Sequence, residues 1–200
     1  MSALFDRLRL QFDQGHGLTL PDLRCDADVA PPDLRAAAVL IAVTDRPEPG
    51  ILLIHRTPGM RAHPGQIALP GGTLDPGEDA VTAALREAQE ELGIDPAAVR
   101  MLGASDRFVT GTGYDVTPVL ALVPPGLAIV PNPAEVADWF EAPLRFLLDP
   151  ANHAIRSMDW HGARRDFVEI EWQGRRIWGI TAAILANLSR RLDWQELLDG

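Results

Sequence analysis

Apolar positions along this chain follow two different periods, and the change from one to the other marks its elements. From Ala37 to Val43 the residues are continuously apolar over a short run, the pattern of a strand buried on both faces. A Pro- and Gly-rich turn, Asp45 to Gly50, leads into a second apolar run from Ile51 to His55, so the two are expected to form a hairpin. Between Asp79 and Leu92 the spacing becomes helical, with Val81, Ala84, Leu85, Ala88 and Leu92 on one stripe and Gly93 placed to stop the helix. Downstream, Val99 to Gly103, Val116 to Val123 and Glu135 to Phe140 read as strands, and Leu144 to Leu148 as a turn or short helix. Asp166 to Trp172 alternates and faces Arg175 to Trp178 across Gln173 and Gly174, a second hairpin.

The two ends differ from this middle. Met1 to Gln14 alternates charged residues with Leu4, Phe5, Leu8, Leu10 and Phe12, which predicts a short amphipathic helix capped by Ser2 and is neither a signal-peptide core nor a membrane span. An amphipathic helix from Thr181 to Leu192 and a short acidic tail close the chain, and the apolar face of that helix could support a homodimer as well as a core. No repeat or linker divides the sequence, so residues 1–200 are expected to form one domain, an α/β sandwich with a mixed sheet that includes an N-terminal helical extension over about residues 1–35.

Composition narrows the partners. A net charge of -10 disfavours nucleic acid and anionic membrane, both of which are bound by basic surfaces. A phosphorylated ligand would need a local device instead, either a bound cation or a few placed arginines. Cys25 is the sole cysteine, which rules out an intrachain disulfide and a CxxC pair and fits a cytoplasmic setting.

The chemistry concentrates between Gly72 and Ile94. On the predicted helix Glu87 lies one turn before Glu90 and Glu91, so three carboxylates share adjoining parts of one face. Like charges so arranged weaken a helix by a few tenths of a kcal/mol per pair unless a cation sits among them. Glutamate-rich faces are usually only solvated. Here, though, Gly72, Glu78 and Arg86 precede the cluster at fixed offsets in a loop-to-helix setting. Oxygen ligands without His or Cys favour Mg2+ or Mn2+ over zinc. Arg86 and Glu78 are placed to form an ion pair fixing the loop to the helix, and Gly71 and Gly72 allow a close backbone approach to metal or phosphate.

This stretch resembles the Nudix box, G-x5-E-x7-R-E-U-x-E-E-x-G-U, without a gap, with Ala88 and Ile94 as aliphatic positions. The resemblance implies a mixed sheet between helices, a Nudix-like α/β/α sandwich. It also implies hydrolysis of a nucleoside diphosphate linked to another group, with magnesium or manganese held by Glu87, Glu90 and Glu91. Upstream, Leu52-Leu53-Ile54-His55-Arg56-Thr57, Arg61, Gly65 and Leu69-Pro70-Gly71-Gly72 are similar to the coenzyme A pyrophosphatase signature L-L-T-x-R-S-x3-R-x3-G-x3-F-P-G-G. The departures are Ile54, Thr57 and Leu69.

Several expectations follow. A metal-activated water would cleave the diphosphate of coenzyme A or a derivative into a phosphopantetheine and adenosine 3',5'-bisphosphate. Glu90, Glu87 or Glu135 would accept the proton, and Arg56 and Arg61 would meet substrate phosphates. His55 and His63 could touch a phosphate too, though packing is their commoner use, and the same holds for stacking of Trp160, Trp172 or Trp178 on an adenine. The alternatives are hydrolysis of ADP-ribose or another nucleoside diphosphate derivative, and a non-catalytic Nudix regulator that senses a nucleotide. The three clustered carboxylates speak against the regulator.

Overall fold

A computed structural model describes residues 2–59, 65–160 and 162–199. The first two apolar runs become β1 (Arg35–Thr44) and β2 (Gly50–Arg56), antiparallel and meeting where Val43 faces Ile51. Away from that turn each takes a different neighbour. The short strand β3 (Ile67–Ala68) pairs with β2, and β4 (Gly71–Thr73) pairs with β1. The Pro70 carbonyl between them accepts the Leu40 N–H at 2.8 Å. This inserted strip carries Gly71 and Gly72 into the sheet, where the site forms.

The sheet is completed by β5 (Arg100–Ala104), β6 (Phe108–Val109), β7 (Tyr114–Val123) and β8 (Val136–Pro143), giving eight strands in all. It is mixed, since β1 and β7 run parallel from Arg35 opposite Tyr114 to Thr44 opposite Val123 while the other pairings are antiparallel. Along β1 the side chains alternate between two cores. Ala38, Leu40 and Ala42 meet Ala83, Ala84, Ala88 and Leu92 of helix α2 (Ala80–Leu92). Ile41 and Val43 belong to the core on the other face, with Leu8 and Phe12 of α1 (Ala3–His16). Cover on both faces is why the run has no polar alternation.

That second core also holds α3 (Leu144–Leu148), α4 (Ile180–Ser189) and the start of α5 (Trp194–Asp199). Against it lies a three-stranded antiparallel sheet of β9 (Ala154–Trp160), β10 (Ala163–Trp172) and β11 (Arg175–Trp178). Its second hairpin turns on Gln173 and Gly174, both at positive φ, as a tight two-residue turn requires. The architecture is therefore the α/β sandwich expected, a mixed sheet between helices.

Two local expectations need correction, and one strand was not foreseen. Ser2 does not cap α1 through its side chain, because its hydroxyl donates to Asp45 instead. The last long helix ends at Ser189, and the acidic tail folds into α5, whose Leu197 is buried in the core. β9 escaped the pattern because most of its side chains are exposed, so it shows no apolar alternation.

Candidate active site and metal centre

Helix α2 is fixed at both ends. Asp79 accepts the Thr82 N–H at 2.8 Å, and Gly93 ends the helix in the left-handed conformation at φ 69°. Between these caps the three glutamates point to different surroundings. The Glu91 side chain is 1% exposed, Glu87 14% and Glu90 53%. Glu91 turns under the inserted strip, where one oxygen accepts the Gly71 N–H at 2.9 Å and the other lies 3.6 Å from Arg56 Nη1. Burial pushes its carboxyl up to about 8, against the Gly71 hydrogen bond and Arg56, while Glu87 and Glu135 add to the rise. Burial raises Glu87 as well. The Glu87 carboxylate lies so close to Gly72 that a Cβ there would fall on it, so any larger residue would displace Glu87 from the cluster.

Arg86 ties the preceding loop to the helix. Its guanidinium donates to both oxygens of Glu78 at 3.0 Å, to Glu87 at 2.9 Å, to Glu90 at 3.1 Å and to the Thr73 carbonyl at 3.0 Å. Glu78 in turn accepts the Asp75 N–H at 2.9 Å. The paired fork is a strong geometry for guanidinium and carboxylate, and it holds Glu78 below its ordinary value and Arg86 above its own. Arg86 thus sets the position of two of the three helical glutamates.

A fourth carboxylate arrives from the loop before β8. Oxygens of Glu87, Glu91 and Glu135 all lie within 4.8 Å of one another. That loop is stitched to the end of α2, since Val130 and Asn132 donate to the carbonyls of Leu92 and Glu91 at 2.9 Å. Glu135 is tied to the β2 end by the Thr57 N–H, also at 2.9 Å. Against these three carboxylates stand Arg86, which donates to Glu87 but is shared with Glu78 and Glu90, and Arg56, 3.6 Å from Glu91, so the cluster holds more negative charge than its partners offset. The all-oxygen donor set fits a hard divalent cation. Glu90 lies outside this group and pairs with Arg86. The sequence considered Glu135 as a proton acceptor only, because its closeness to the helix depends on a turn some forty residues along the chain.

The cluster forms part of the wall of a cleft of about 790 Å³ between the two sheets. Arg56, Gly71 and Gly72 line it beside the glutamates, and Phe167, Trp160 and Trp178 line it from the small sheet. Trp178 packs edge-on to Phe167 at 5.6 Å, while Trp172 stacks on Phe140 away from the cleft. His55 makes a contact to the Gly65 carbonyl at 2.9 Å. Arg61 and His63 lie outside the described residues.

Comparison with known proteins points to one family. The family model of the NUDIX domain matches residues 34–161. Proteins described as uncharacterized Nudix hydrolase NudL are similar to the chain. That of Photorhabdus laumondii is 39% identical over 159 residues, covering 79% of this chain and 85% of the relative. That of Klebsiella pneumoniae strain 342 is 41% identical over 162 residues, covering 79% and 83%. Among solved structures, the Nudix hydrolase RenU of M. smegmatis aligns with a TM-score of 0.50 at 28% identity, over 57% of this chain and 74% of that one.

Proposed function

The chain belongs to the Nudix family of hydrolases, which act on phosphorus-containing anhydrides, and on that premise we propose that its substrate is coenzyme A or a derivative. The products would be a phosphopantetheine and adenosine 3',5'-bisphosphate. The observation that carries the reading is the three-carboxylate cluster in the wall of a cleft large enough for an extended nucleotide. The upstream run Leu52 to Gly72, with Arg56 beside the cluster, supports this substrate among diphosphates.

Glu87, Glu91 and Glu135 would hold the cation, magnesium or manganese, which when bound neutralises charge on the diphosphate oxygens and acidifies a water. The remaining work belongs to side chains. Arg86 holds Glu87 and Glu90 in place and ties them, through Glu78, to the Gly72 loop. Arg56 and the backbone of Gly71 and Gly72 face the diphosphate. Glu90 keeps one oxygen on Arg86 and is otherwise exposed, so it is suited to accept the proton of the attacking water. The water oxygen bonds to one phosphorus as the bridging P–O bond breaks, and the bridging oxygen leaves on the other phosphate.

A panel of coenzyme A, ADP-ribose, NADH and diadenosine polyphosphates, compared by kcat/KM with magnesium, tests the proposal. Coenzyme A is expected to lead. Preference for ADP-ribose would instead favour a nucleotide-sugar pyrophosphatase.

A further inference from the structure

Residues 18–34 contain no helix or strand, yet part of this strap is held closely. Asn187 of α4, 4% exposed, grips one residue of it by both backbone groups: its Oδ1 accepts the Arg24 N–H at 2.8 Å and its Nδ2 donates to the Arg24 carbonyl at 2.9 Å. Arg190 donates to the Pro21 and Asp22 carbonyls at 2.8 Å, and the Asp26 N–H reaches Val109 at 2.9 Å. The backbone of Arg24 is therefore fixed from both sides. Arg24 is one of the residues that line the same cleft as the glutamate cluster.

Among the described residues the Arg24 guanidinium has no hydrogen bond or ion pair. Of the neighbouring charges, Arg56 stands on the diphosphate side of the cleft and the others are engaged. Arg56 faces Glu91, Arg165 pairs with Asp28, and Asp166 accepts the Ser157 hydroxyl at 2.6 Å. Asp26 receives the Gly111 N–H. Arg24 is thus a cation with an anchored backbone and an open fork, the arrangement that binds a phosphate in two-point fashion at small entropic cost.

We propose that Arg24 forms a second anion subsite, which takes a phosphate monoester carried by the substrate in addition to its diphosphate. The proposal rests on the pyrophosphohydrolase reading and narrows its substrate to nucleotides that carry a phosphate monoester besides the diphosphate. Both Arg24 and its anchor Asn187 lie outside residues 34–161, where the family model matches. Chemistry on the diphosphate then belongs to the shared domain, and selection of the extra phosphate belongs to the flanking segments.

Two measurements test the subsite on the full chain with magnesium. Calorimetry compares adenosine 3',5'-bisphosphate with AMP, and kinetics compares coenzyme A with its 3'-dephospho form. The parent is expected to favour the extra phosphate by about 10-fold or more in each, the ordinary yield of a hydrogen bond to a charged group. Arg24→Gln should erase that preference through Kd and KM with kcat and melting temperature unchanged, since the side chain has no structural partner, and Arg24→Lys should retain part of it. Equal handling of both ligands by the parent, or a preference that survives Arg24→Gln, overturns the subsite. A preference in calorimetry that Arg24→Gln abolishes, without turnover of either coenzyme form, would keep the subsite and overturn the coenzyme A reading.

Discussion

At the scale of single residues, Glu91 shows function opposed to stability. A carboxyl pushed up to about 8 by burial is a costly group to keep in an enclosed wall, and a cation beside it offsets that cost. Glu91→Gln is therefore expected to melt at or above the parent temperature while magnesium-dependent turnover falls by about 100-fold or more. Thermal melting and single-substrate kinetics on one preparation check both halves. Glu135 and Glu90 should separate in the same way. Glu135→Gln should weaken Mn2+ uptake by about 10-fold or more, whereas Glu90→Gln should leave uptake within a few-fold and lower kcat. Titration calorimetry with Mn2+ reads the difference, and comparable uptake by the Glu135 variant would remove that residue from the cation site.

At the scale of elements, α2 is a carrier whose value lies in where it stops. Three alanines on its inner face, Ala83, Ala84 and Ala88, lie fully buried against β1 and place the glutamate face beside the inserted strip. Gly93 then reverses the backbone at φ 69°, and the Leu92 and Glu91 carbonyls are left to accept from the loop that brings Glu135. Gly93→Ala forces a side chain into the left-handed region, with its Cβ 3.2 Å from Val130, and should cost about 1–2 kcal/mol in urea unfolding. Because that loop carries a cluster residue, the same variant should also bind Mn2+ more weakly.

At the scale of the whole molecule, the termini are locked together beneath the second core. Arg191 donates to both oxygens of Asp106, at 2.8 and 2.7 Å, and to the carbonyls of Gly15 and Leu18 at 2.8 and 2.6 Å. With its side chain 7% exposed, Arg191→Met should cost about 3 kcal/mol. Burial raises Asp106, but the hydrogen bonds and charge of Arg191, with His16, outweigh it and leave the carboxyl below its ordinary 3.8. A lowered carboxylate adds stability that is fully present above its unfolded value and is lost as pH falls through the folded one. Asp106→Asn should therefore be less stable than the parent at pH 7, with the gap closing below about pH 4. Urea unfolding at pH 7 and at a series of pH values descending from about 4 shows it, and a gap that persists to the acid end would assign the effect to packing.

The sequence by itself determined what depends on local spacing. Continuous apolar runs marked the strands covered on both faces, and the helical period marked α2 and both of its ends. The offsets from Gly72 through Glu78 and Arg86 to Glu91 gave the Arg86–Glu78 pair and three carboxylates on adjoining parts of one face, because a helix turns i+3 and i+4 onto neighbouring lines whatever surrounds it. Only the tertiary structure decided which carboxylates meet. Glu90 and Glu91 are adjacent in the chain, yet helix rotation leaves one exposed on Arg86 and buries the other under Gly71. Glu135 and Arg24 reach the cleft through contacts between segments far apart in sequence, the first through the carbonyls ending α2 and the second through Asn187. Such contacts leave no period in the chain, since the burial that fixes them exists only once the core has closed.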